Sequence, residues 1–247
     1  MIKYNLNLIY AILKEFDIPK HNYTFTCDSV ESYCPSQVKV NNYTVDLLHG
    51  ASQICFFCKD LNYVIKIPIF YGEDYYYLDN GEEERTVYKY CGAIDEGDGS
   101  NYCEEAFITY KNACKYNLKE FFAAIEKVGN WGEIPIYVQE KCELFSSRYD
   151  EDEVFYSECS NGLSGKEKRK MKKIEKRKSQ IINYCIINKI EVFNWFFQEQ
   201  IKKQVGNARF LRLMSFIKEF SIDDLHSDNI GYINQNCVLI DYASFED

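Results

Sequence analysis

The residues with the most chemical promise lie in two segments, Ile222-Asp-Asp-Leu-His-Ser-Asp-Asn-Ile-Gly-Tyr232 and Val238-Leu-Ile-Asp-Tyr-Ala243. Clustered carboxylates repel one another, so a fold keeps them only when they are solvated, paired or holding a cation. Four residues separate Asp224 from Asn229, and Asp241 follows at the end of the apolar run Cys237-Val-Leu-Ile240. A short hairpin turning at Asn234-Gln-Asn236 returns Asp241 to the side of Asn229. An amide oxygen and a carboxylate oxygen at the mouth of such a hairpin suit Mg²⁺, which takes one or two protein carboxylates and keeps its other positions for water and phosphate oxygens. Asp224, close by, is then placed to accept a proton from an attacking hydroxyl. His226 reads as a hydrogen-bonding group within the loop, and Asp223 and Asp228 as solvated.

These groups need elements to carry them. Leu6, Leu8, Ile9, Ile12, Leu13 and Phe16 recur at helical spacing, so a helix opens the chain. Runs at Tyr43 to Leu48, Gln53 to Cys58 and Tyr63 to Ile69 are short and β-favouring, and read as an antiparallel meander. Residues 71–101 are acidic, aromatic and glycine-punctuated, which reads as an insertion. Ser100 or Asn101 can cap a helix from about Tyr102, with Cys103, Phe107, Tyr110 and Cys114 on one stripe and Glu104 and Glu105 in its first turn. A second hairpin is expected from Phe121 to Val128 and Ile134 to Glu140 around Gly129-Asn-Trp-Gly132. Beyond Glu143 the pattern is mostly helical: a basic run at 166–178, an apolar helix over about 179–204, and a helix over about 207–220 with Phe210, Leu213, Met214 and Ile217 in step.

Composition limits the classes. With 247 residues, 46% apolar, 21 Tyr and 17 Phe, the chain has ample material for a core. A net charge of −9 argues against a general nucleic-acid binder, although the basic run 166–178 offers a local polyanion or acidic-partner surface. Eleven cysteines, an odd number, in a chain whose first residues lack signal-peptide character read as reduced and largely buried thiols. Cys55-Phe-Phe-Cys58 has no second pair at zinc spacing. With no apolar run long enough to span a bilayer, the expectation is a cytoplasmic protein of a bacterial or host cytosol.

Asp224-Leu-His-Ser-Asp-Asn229 followed by Asp241-Tyr-Ala resembles the catalytic loop and metal-binding triplet of the protein-kinase-like superfamily, which includes protein kinases and aminoglycoside and choline kinases. Val64-Ile-Lys66 looks like that family's phosphate-binding lysine strand, and Gly50-Ala-Ser-Gln53 resembles a reduced phosphate loop with Gly50 and Ser52 as its contacts. The resemblance implies an α+β, two-lobed fold. Residues 1–140 would form a small antiparallel sheet with one helix, an N-terminal helical extension and the insertion; residues 141–247 would form a minimal, mostly helical lobe, all within one domain 1–247.

It further implies ATP and Mg²⁺ as cofactors. Lys66 would hold phosphates and Glu105, or Glu104, would orient it. The backbone of Gln139 to Lys141 would bind adenine, Asn229 and Asp241 would hold the metal, and Asp224 would be the base. The sequence departs from the family at Ile222, where a His is usual, and in having six residues after Asp241, without activation segment or peptide-docking helices. In this it looks similar to the compact kinases of bacterial effectors and phage-related families. A protein hydroxyl is the expected acceptor and a small molecule the second choice; a pseudokinase that acts as a binding module is the alternative.

Overall fold

Asn5 starts the first helix, α1 (Leu6–Glu15), by accepting hydrogen bonds from the N–H groups of Asn7 and Leu8 at 3.1 and 3.2 Å. The computed structural model describes residues 2–18, 20, 23–26, 35–49, 53–68, 70–72, 87–90, 101–144, 198, 201–222 and 229–243. The chain divides into two units, Met1–Lys141 and Cys142–Asp247.

In the first unit six antiparallel strands form one sheet: β2 (Gln37–Val40), β3 (Tyr43–His49), β4 (Gln53–Cys58), β5 (Tyr63–Pro68), β8 (Ile125–Trp131) and β9 (Ile134–Glu140), in spatial order β2-β3-β4-β5-β9-β8. The meander β3-β4-β5 follows from its alternating apolar positions and short polar turns. The insertion of β9 between β5 and β8 is a non-local pairing, in which Val64 faces Gln139 and Lys66 faces Tyr137. A second, three-stranded sheet has the order β1-β7-β6, from β1 (Tyr23–Thr26), β6 (Phe70–Gly72) and β7 (Val87–Tyr90). The acidic segment expected as an insertion therefore contributes most of β6 and all of β7, while residues 73–86 and 91–100 lie outside the described residues.

The two faces of the six-stranded sheet have different covers. Val45, Ile54, Ile65, Ile67, Ile136 and Val138 alternate onto one face and pack with α1, whose Ile9, Ile12 and Leu13 are fully buried. Each such side chain contributes about 1.5–3 kcal/mol on burial, which makes α1 part of the core. The other face carries α2 (Tyr102–Lys115), which packs on β5 and β8. Asn101 caps this helix through the Glu104 N–H at 3.1 Å. Its buried positions are Cys103, Ala106, Thr109 and Ala113, and Cys114 is exposed, so the expected aromatic stripe is displaced. Small residues let the helix backbone approach the sheet, while Phe107 flanks the contact with its ring 6.3 Å from that of Tyr137.

The β8–β9 hairpin extends further than its glycines suggest. Gly129 and Trp131 lie inside β8, past a bulge between Lys127 and Gly129. The turn instead uses Gly132, at φ 63°, where a Cβ would stand 1.9 Å from the Lys20 carbonyl oxygen that accepts from the Glu133 N–H.

In the second unit α3 (Asn207–Glu219) buries Phe210, Leu213, Phe216 and Ile217. Phe216 takes the inward place expected of Met214 and stacks on Phe220 at 4.3 Å. A helical stretch at 201–205 precedes it. Beside these helices lies a three-stranded sheet, β10 (Glu143–Leu144), β11 (Ile230–Ile233) and β12 (Asn236–Leu239), in the order β10-β11-β12. The basic run 166–178 and most of the helix expected over about 179–204 lie outside the described residues, and the described part of that helix, Gln198 and 201–205, is helical. Among the described residues no helix is long and apolar enough to cross a membrane.

Candidate functional site

In the first unit, chemistry collects on the sheet face under α2. Directly opposed residues of paired strands share a face, so Cys55, Lys66 and Tyr137, opposite one another across β4, β5 and β9, point to the α2 side. Lys66 is 5% exposed and Gln139 is 1% exposed. A buried ammonium is stable in a fold only when hydrogen-bonded or paired. The helix covering it supplies two glutamates. Glu104 is committed elsewhere: it accepts from Lys127 Nζ at 2.7 Å and from the Tyr137 hydroxyl. Glu105, the next residue, has its Oε2 buried.

The electrostatics of this corner follow from those contacts. Burial opposes the charge of Glu104, but the hydrogen bonds from Lys127 and Tyr137 and the Lys127 charge outweigh it, and the carboxyl is held below its ordinary value. Tyr137 moves the other way, its ionisation pushed far up by burial first and then by the adjacent Glu104 carboxylate. The shared proton thus stays on the tyrosine. Asn101, the cap of α2, completes the group with its side-chain amide 3.5 Å from the Tyr137 hydroxyl.

Lys141 has a structural post. Its ammonium donates to the carbonyls of Cys58, Lys59 and Leu61 at 3.0, 2.5 and 2.8 Å, closing the turn between β4 and β5. Its backbone N–H donates to Asn62 O at 3.1 Å, and that of Glu140 to Ala124 O at 2.8 Å. These two amides, in the segment expected to meet adenine, are therefore engaged within the unit.

In the second unit β11 and β12 form a hairpin with the two-residue loop Asn234-Gln235, both at positive φ (48° and 68°), the geometry whose twist suits paired strands. The register continues past the strands: the Ile240 N–H donates to the Asn229 carbonyl at 2.9 Å. Asn229 and Asp241 are thereby brought to the same open end of the hairpin, with Asn229 8% exposed and Asp241 half-buried. Gly231 allows β10 to pack against this end, since a Cβ there would lie 2.9 Å from the Glu143 carbonyl oxygen. Among the described residues no three or more His, Cys, Asp or Glu side chains gather as a metal cage. Asp224, Gly50 and Ser52, together with His226 and the basic run 166–178, lie outside the described residues.

Sequence reasoning missed the Tyr137–Glu104–Lys127 group. Tyr137 stands in an apolar strand and looks like core, and its polar partner comes from a helix over thirty residues earlier. In comparisons with known proteins, the chain matches no family model, no curated protein and no solved structure.

Proposed function

We propose that the chain is an ATP- and Mg²⁺-dependent phosphotransferase of two-lobed, kinase-like design, acting on a protein hydroxyl. One observation carries the reading: a tight hairpin holds Asn229 and Asp241 at one end, although they are twelve positions apart in sequence. An amide oxygen and a carboxylate oxygen are a donor set that fits Mg²⁺, an ion that keeps several positions for water and phosphate. The ion when bound neutralises charge on the transferred phosphoryl group.

In this reading Lys66 binds the α and β phosphates and Glu105 orients its ammonium. Support comes from the first unit, where a buried lysine lies on a strand covered by the helix that carries Glu105. The β9 strand beside Lys66 runs from Tyr137 to the 139–141 segment over about 13 Å of extended chain, comparable with the span from adenine to β phosphate in one ATP. Asp224 takes the proton of the acceptor hydroxyl. Positioning and electrostatics supply most of the rate.

A pseudokinase acting as a binding module is the second reading. The engagement of the Glu140 and Lys141 amides favours it, because fewer backbone donors are left for adenine. Thermal melting with ATP, with and without Mg²⁺, separates the readings when run alongside transfer of labelled phosphate. An enzyme gains about 5–10 °C at a hundredfold excess over Kd and transfers label. A module, whether it binds nucleotide or only protein, gives no transfer, and Mg²⁺-dependent transfer of label contradicts it; absence of both stabilisation and transfer contradicts the enzyme.

A further inference from the structure

The turn between β4 and β5, Cys58-Lys59-Asp60-Leu61-Asn62, is closed on itself by the Leu61 N–H, which donates to the Cys58 carbonyl at 3.3 Å. The carbonyls of Cys58, Lys59 and Leu61 converge on one point, and the Lys141 ammonium occupies it at 3.0, 2.5 and 2.8 Å from the three oxygens. The Phe57 ring lies beside it, its centroid 4.9 Å from the nitrogen. Lys141 reaches this point from just past the end of β9 and is the last residue of the first unit.

Each of the three bonds ends on a neutral backbone oxygen, and none on a carboxylate. Convergent backbone carbonyls replace the hydration shell of a cation, so the ammonium here behaves as an ion attached to the chain. Distance and charge set the class of ion. Mg²⁺ requires oxygens at about 2.0–2.1 Å and Ca²⁺ at about 2.3–2.6 Å, with carboxylates commonly among them. Two of the three contacts to Lys141 are longer than either range, which fits a larger, singly charged ion.

We propose that the β4–β5 turn is a binding loop for a monovalent cation of ammonium or potassium size, filled in this chain by the tethered Lys141 ammonium, which thereby fastens the end of β9 to the turn. Tethering raises the effective concentration of ammonium at the loop far above that of ions in solution. Withdrawing the lysine exposes the loop's own preference. The proposal stands apart from the phosphotransferase reading.

Melting of Lys141→Ala and wild type, both as the full chain, tests it with potassium, ammonium, lithium and tetramethylammonium chlorides at one ionic strength. The variant should melt about 5–10 °C below wild type, having lost three charge-assisted bonds. Potassium or ammonium should return about 2–4 °C that lithium and tetramethylammonium do not, and wild type should show no such preference. A second measurement needs no variant: brief treatment of the native chain with acetic anhydride, read by peptide mass spectrometry. Lys59, exposed on the same turn, should be acetylated about 10-fold or more faster than Lys141. Equal responses of Lys141→Ala to the four salts, an ion preference of the same size in wild type, or acetylation of Lys141 as fast as of Lys59 would overturn the proposal.

Discussion

The Tyr137 hydroxyl donates to the Glu104 carboxylate, so the first turn of α2 is tied to the strand that runs beside Lys66. Lys127 holds the same carboxylate from β8. Two neighbouring strands thus fix the helix that carries Glu105, and fixing it restricts where Glu105 can point.

Removing this tie should loosen the helix. Tyr137→Phe and Glu104→Gln are each expected to cost about 1 kcal/mol, with a coupling of similar size in the double-mutant cycle. Urea unfolding of the four proteins checks it. Additive losses would show that the two side chains do not act as a pair.

Stability should fall on both sides of neutral pH. Glu104 is held below its ordinary value of 4.5, so its contribution is present above that value and is lost as pH falls through the lower folded value. On the alkaline side burial pushes Cys237 from 9.0 to about 12, and burial together with Cys114 pushes Tyr110 from 10.0 to about 12. The unfolded chain releases these protons first, so stability declines as pH rises past about 9. Tm measured against pH should show both slopes, and Cys237→Ala should delay the alkaline one. A flat alkaline limb would contradict the assigned burial.

The hairpin that positions Asn229 and Asp241 has an improvable turn. Gln235 sits at φ 68°, where glycine is unstrained. Gln235→Gly creates the favoured Asn-Gly loop and should stabilise the second unit by about 0.5–1 kcal/mol. Gly231→Ala should do the reverse, by about 1–3 kcal/mol, because its Cβ meets the Glu143 carbonyl. Thermal melts of both variants check the pair of signs.

Lys66→Met combined with Glu105→Leu separates binding from folding. A buried charge pair can often be replaced as a whole by apolar side chains of similar size at little cost, whereas removal of one partner alone is costly, so the double variant should melt within a few degrees of wild type. Its phosphate transfer should fall about 100-fold or more. Unfolding of the variant would assign Lys66 to the core rather than to phosphate.

What the sequence displays is local. Apolar alternation in Gln53–Cys58 and helical spacing in Leu6–Glu15 are visible because each element buries one face. The turn at Asn234 is visible through its residue types. The neighbour of β5 is not, since β9 arrives from far along the chain and no single residue marks the pairing. Strands β1 and β2 are four-residue edges with mixed polarity, too short for periodicity to register. The site shows the same division. Lys66 is conspicuous within Val64-Ile-Lys66, whereas the commitment of Glu104 to Tyr137 and of Lys141 to three turn carbonyls exists only after the sheet has formed.

Transfer of the labelled γ-phosphate of ATP, by wild type and by Asp224→Ala and Asp241→Ala with matched melting temperatures, tests the central proposal most directly. Wild type should show Mg²⁺-dependent transfer that falls about 100-fold or more in each variant. Absence of transfer by wild type against a broad mixture of protein acceptors, or transfer that persists undiminished in Asp241→Ala, would contradict it.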